Sequence, residues 1–212
     1  MGAWFVNYQV WSDSQVDVSE IVEQLSSGKC YISPPEGGWI SVYDEMAENY
    51  QNPQLYEYIA NIVSSISSQL NTSVFAFIVF SGVEFFYFLY KDGQVYDEFC
   101  SDPQNSFTFG FKKFNEEVQR RFQGNPESLL SYSISGTTLE EIIEVLSSIK
   151  KGETDYLGED GILHLAPLLG MNEDRAIQGY NYIEDEFSLS KEYRSIPDIE
   201  DFIFIDHQQI SG

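Results

Sequence analysis

The stretch SVFAFIVFSGVEFFYFLY, residues 73–90, decides the fold, because it can be read in two incompatible ways. Its length approaches that of a membrane-spanning helix. Against that reading, Ser81-Gly82 interrupts it and Glu84 falls near its middle. The run is also rich in Val, Ile, Phe and Tyr, residues that fit a pleated surface. It therefore reads as two short buried strands, 74–80 and 85–90. The second runs into Lys91-Asp92-Gly93 and then QVYDEF, residues 94–99. Asp-Gly between two apolar runs is the signature of a tight hairpin. FFYFLY is apolar at every position, so it is expected to be a central strand covered on both sides.

Working outward, WFVNYQVW (4–11) reads as a first strand and WISVY (39–43) as a second. Between them, Asp17 and Glu20 have capping-box spacing, and Ile21, Val22 and Leu25 share a helical face that ends at Gly28. SPPEGG (33–38) stiffens the approach to Trp39, and Asp44-Glu45 is expected to end that strand in water. Asn52-Pro53 predicts the start of a helix carrying Leu55, Ile59, Ile62, Val63, Ile66 and Leu70. The order β-α-β-α-β-β-β predicts an α+β (or α/β) fold, a mixed five-stranded sheet with helices packed on it.

Beyond Asp102-Pro103 the character turns helical. FKKFNEEVQRRF (111–122) places Phe111, Phe114, Val118 and Phe122 on one face, with Glu116 and Glu117 four residues before Arg120 and Arg121. Lys112, Lys113, Arg120 and Arg121 form a basic cluster on the wet face of that helix. Asn125-Pro126 repeats the start signal, and Thr137 and Thr138 precede Glu140 and Glu141 in two overlapping capping boxes. Residues 152–161 read as a polar connector. GILHLAPLLG and NEDRAIQGYNYI predict two short helices, and DIEDFIFID a short edge strand. Residues 1–103 are thus expected to form a mixed sheet domain. Residues 104–212 form a helical extension with a terminal strand, sharing one core with the first part.

Charge is the strongest global feature: 34 acids against 11 bases, with Lys29 the only base in residues 1–90. Such a field repels phosphate backbones and anionic lipid, so no nucleic-acid or membrane partner is expected, and it favours cations, basic proteins or simple solubility. LAPLLGMNEDRAIQGY (165–180) has helix-turn-helix rhythm, but its second helix would begin Asn-Glu-Asp-Arg and face phosphates with two negative charges. Cys30 and Cys100 are too few for a disulfide framework and sit in no CxxC pair, which fits free thiols in a reducing cytosol. MGAWFVNYQVW has neither the basic nor the long apolar region of a signal peptide, and Val6 stands where myristoylation needs Ser or Thr. A cytoplasmic protein is expected.

Chemistry-bearing motifs are sparse. Asp44-Glu45 and Asp97-Glu98, with Asp102 close behind, could gather Mg²⁺ or Ca²⁺ if their strands were neighbours. Adjacent strand residues point to opposite faces, so each pair could offer one side chain. Trp39, behind its Gly-Gly approach, is a candidate contact for a partner, giving Trp39, Asp44, Glu45, Asp97 and Glu98 as candidate binding residues. His164, in ILHLAPLL, reads as half-buried, and neither it nor His207 belongs to a HExxH or GxSxG motif. No phosphate-binding glycine loop occurs, and no cofactor is expected.

GWISVYDE, FFYFLYKDGQVYDEF with its following Ser101-Asp102-Pro103, and LLGM…GYNYIED resemble a pattern in uncharacterised bacterial proteins. That resemblance implies a bacterial cytosolic setting and carries no activity. The sequence therefore leads to an acidic, non-enzymatic protein-binding or regulatory domain, of the kind an immunity or inhibitor protein for a basic partner would be. The rival reading is a metal-assisted hydrolase or transferase using Asp44, Asp97 and nearby acids.

Overall fold

In a computed structural model describing residues 4–104, 106 and 115–207, the central feature is a seven-stranded sheet. Its strands are β1 (Phe5–Trp11), β2 (Cys30–Ile32), β3 (Trp39–Asp44), β4 (Ser73–Phe80), β5 (Glu84–Lys91), β6 (Gln94–Cys100) and β7 (Ile203–Ile205). They lie in the order β6-β5-β4-β1-β3-β2-β7, every neighbouring pair antiparallel. The expected five strands are present, but the sheet has seven and is not mixed. β2 is the strand that the sequence hides: three residues are too few to display alternation. Its presence turns SPPEGGW into a hairpin loop. Glu36 and Trp39 exchange backbone hydrogen bonds at 2.9 Å across Gly37-Gly38, whose φ angles of 60° and 83° suit the left-handed turn that such a loop requires. The chain then reverses into β3, which makes β3 antiparallel to β1.

Two helices cover one face: α1 (Gln15–Leu25) and α2 (Leu55–Leu70). They pack on Val6, Tyr8 and Val10 of β1, Val74, Ala76 and Ile78 of β4, and Phe86 and Phe88 of β5. The opposite face carries Phe5, Phe75, Phe77, Phe85, Tyr87 and Phe99. It is covered by α4 (Pro126–Leu130), α5 (Leu139–Lys151), α6 (Glu159–Leu168), α7 (Glu173–Ala176) and α8 (Tyr180–Ser188), while α3 (Glu116–Arg121) lies at the β6 edge. The segment after residue 104 thus supplies the second cover, and its strand β7 pairs with β2. No helix among the described residues is long and apolar enough to cross a membrane.

Local signals place most elements within a few residues. Thr138 and Glu141 form a reciprocal capping box at α5, and Asn125 caps α4. α1 is capped by Ser14 rather than Asp17 and stops at Ser26, before Gly28. α2 begins at Leu55, after a turn in which the Asn52 side chain accepts from Gln54 N–H at 2.9 Å. NEDRAIQGYNYI breaks into α7 and α8 at Gly179 instead of forming one helix. Phe111, Lys112, Lys113 and Phe114 lie outside the described residues, and α3 starts at Glu116.

Because β4 is buried from both sides, truncation there removes packing that nothing can replace. Phe77→Ala is expected to lower stability by about 3–5 kcal/mol, and Val95→Ala, on the exposed end of β6, by under about 0.5 kcal/mol. Urea denaturation of both variants measures the difference.

Candidate functional site

The acid pairs do not meet. β3 and β6 stand four steps apart in the sheet, which at ~4.8 Å per step separates Asp44 from Asp97 by roughly 19 Å. Asp44 is not solvated at a strand end. It is buried, with Tyr58 Oη donating at 2.7 Å, Ser26 Oγ at 3.0 Å and Met46 N–H at 3.0 Å. Burial raises its pKa, and these donors pull against that rise. Asp97 is also buried, accepting from Tyr87 Oη at 2.7 Å and Asn125 N–H at 2.8 Å, and burial raises its pKa too. Both carboxylates are consumed by the fold.

The other candidates are distributed similarly. Glu98 points to the face opposite Asp97 and takes a forked contact from Arg121, Nε at 2.5 Å and Nη2 at 2.7 Å. That contact replaces the expected pairing of Arg121 along its own helix. Arg120 turns to the Glu116 carbonyl. Glu45 is exposed, its carboxylate accepting from Lys29 N–H at 3.0 Å. Trp39 is not held out for a partner. It is buried, its indole N–H donating to the Leu169 carbonyl at 2.9 Å. His164 is exposed and stacks on Tyr156 at 4.3 Å, rather than half-buried. Burial pushes the thiols of Cys30 and Cys100 up, with Asp44 adding to the effect at Cys30. No group of three or more potential metal ligands gathers among the described residues.

What the sequence reading missed is a polar strip on the helix-rich face of β1 and β3. Asn7 Nδ2 donates to the carbonyls of Ala176 and Gln178, both at 2.7 Å. Gln9 bridges Asn7 and Ser41, at 2.8 and 2.9 Å. Arg175, buried, donates to the Pro34 carbonyl at 2.8 Å, pairs with Asp198, and lies over the Phe202 ring. The available signal was Asn7 and Gln9, two residues apart inside an aromatic strand, hence on one face. The strip fixes where α7 ends and α8 begins.

At that junction lies a cleft of about 300 Å³, walled by Trp4, Glu48, Glu159, Asn181, Tyr182 and Asp185 among others. Glu48 comes from the 3₁₀ turn Glu45–Glu48 after β3 and caps α8. It accepts from Tyr180 N–H at 2.6 Å and from the Asn181 side-chain amide at 2.6 Å. Its approach is possible only because residue 179 is glycine: a Cβ there would stand 2.0 Å from Glu48 Oε1 and 2.5 Å from Phe5 Cβ. Burial pushes Glu48 up to about 7, against the lowering effect of the α8 amides. Trp4 is held by its indole N–H to the Glu48 carbonyl at 3.0 Å, and Tyr182 by a 2.8 Å hydrogen bond between its hydroxyl and Ser195 Oγ. The clefts around Lys29 and around Lys150 mix both signs of charge, whereas no base among the described residues lines this one.

Compared with family models, curated proteins and solved structures, the chain matches none of them. The resemblance through GWISVYDE and its companion stretches therefore rests on those residues alone.

Three measurable outcomes come from the Glu48 geometry. The Glu48 carboxyl carbon is expected to titrate near pH 7 by NMR, not near its ordinary 4.5. The folded state holds this proton more tightly than the unfolded chain does, so the group's contribution to stability falls as pH rises from about 4.5 to about 7. Glu48→Gln should flatten that part of the stability profile. Gly179→Ala should cost more than about 2 kcal/mol by overpacking, seen as a lowered urea midpoint.

Proposed function

We propose that this chain is a non-catalytic domain that binds a basic protein, as an immunity or inhibitor protein does. The carrying observation is that most of its negative charge stands at the surface. Of 34 acids, Asp44, Glu48, Asp97, Glu98 and Glu186 are buried, and the rest reach the surface to some degree. Ion pairs between described residues engage Glu36, Glu98, Glu153, Glu184, Asp198 and Glu200. Helix α5 alone leaves Glu140, Glu141 and Glu144 exposed on its outer side. Self-repulsion of this kind destabilises the compact state, and a cationic partner relieves it. Complementary fields also speed encounter, which suits a protein that must reach its target before the target acts.

The rival reading, metal-assisted hydrolysis, needs Asp44 and Asp97 in one site, and the strand order keeps them on opposite parts of the sheet. Glu45 and Asp102 sit with those two strands and are separated in the same way.

Affinity capture from the source organism with the full chain as bait tests the proposal. A basic protein retained at low salt and released at high salt is expected. With that protein purified, the association rate should fall steeply with ionic strength while dissociation changes little. Recovery of no salt-sensitive partner, or of an acidic one, overturns the reading.

A further inference from the structure

We propose that the cleft beside α8 is the socket for an arginine side chain of the partner, which rests on the reading above and gives it a recognition chemistry. Three features of the cleft converge on a guanidinium. The first is charge: the exposed carboxylates of Glu159 and Asp185 belong to its lining, Glu48 being engaged by α8, and no base among the described residues lines it. The second is its aromatic wall. Trp4, half-buried, and Tyr182, 42% exposed, both line it. A cation over such a ring is attracted to its negative face, most strongly when partly desolvated.

The third feature is that these rings are held in place before anything binds. Trp4 is fixed by its hydrogen bond to the Glu48 carbonyl and by an edge contact with Phe80 at 5.1 Å. Tyr182 is fixed through Ser195, which in turn donates from its backbone to Glu186 at 2.7 Å. Ordering costs are therefore met by the fold and not by the encounter. At about 300 Å³ the cleft is at the lower end for organic ligands and takes one long side chain. Planarity selects arginine over lysine. A guanidinium can stack on an aromatic face and still donate in its plane to carboxylates, whereas an ammonium acts as a hydrated point charge.

An acetylated, amidated tetra-arginine peptide titrated into the ¹⁵N-labelled full chain tests this, with tetra-lysine for comparison. Shift changes should concentrate on the amides of residues 177–185 and the Trp4 indole, with arginine binding at least about threefold more tightly than lysine. The double variant Glu159→Gln/Asp185→Asn should weaken arginine binding about tenfold. Glu140→Gln/Glu144→Gln, an equal change of charge on α5, should weaken it by less than about twofold. Both pairs replace surface carboxylates, and the amide fingerprint confirms that each variant is folded. Shift changes spread over the acidic surface, equal weakening by the two double variants, or equal affinity for lysine each overturn the socket. A salt-sensitive basic partner with no seat for arginine here would sink the socket and leave the functional reading standing. An arginine seat without any such partner would do the reverse.

Discussion

The structure depends on the burial of β4 and β5 from both sides. Along β4, residues 73–79 are buried, and along β5 residues 85–90, so neither face of the central sheet can be left to water. Two separate covers are needed. α1 and α2 supply one from within the first hundred residues, on a face where Val, Ile and Ala alternate with Tyr8, Phe86, Phe88 and Tyr90. The other face is aromatic, with Tyr87 stacked on Phe99 at 5.3 Å and Phe75 edge-on to Tyr87 at 5.9 Å. Its cover comes from after residue 115. The sheet domain expected over residues 1–103 would by itself expose this aromatic layer, a large apolar surface of the kind that drives association.

Over β1 and β3 the same face changes character, and this change creates the cleft. Asn7, Gln9 and Ser41 cannot be buried against apolar helices without partners. They take the free carbonyls at the end of α7 and form a chain among themselves. Arg175 carries a charge into this layer and is compensated by Asp198, Glu36 and the Pro34 carbonyl. Helix α7 must stop where Asn7 holds its carbonyls. Gly179 then passes within contact of Phe5 and Glu48, and α8 starts with a carboxylate at its N-terminus, where the helix dipole favours one.

Acids in this chain therefore do two kinds of work. Those that are buried, among them Asp44, Asp97 and Glu98, are each held by several donors and serve as polar joints between sheet and helices. Such a joint costs desolvation, and the upward pKa shifts of Asp44, Asp97 and Glu48 record that cost. Those that are exposed stabilise little within the chain, since isolated surface pairs contribute at most about 1 kcal/mol. Their collective field acts on other molecules. Residue type alone does not separate the two groups: Asp44 and Glu45 are neighbours in sequence, one buried and one in water.

Elements with local causes are legible in the amino-acid sequence. Apolar runs rich in β-branched and aromatic residues place β1, β3, β4, β5 and β6, and a period-3.6 apolar pattern places α2. Asp92-Gly93 places the hairpin, and Thr138 with Glu141 places the start of α5, because turns and caps are made by residues a few positions apart. Acid composition, and with it the sign of any partner, is likewise legible without coordinates. Long-range packing produces the three-residue β2, since its pairing with β3 and β7 comes from residues up to 175 positions away. It also decided that the Asp44 and Asp97 strands lie four steps apart, and that Trp39 turns inward to Leu169. Strand order and the assignment of each acid to core or surface follow from which distant backbone groups arrive to bond them. Local pattern carries no record of that arrival.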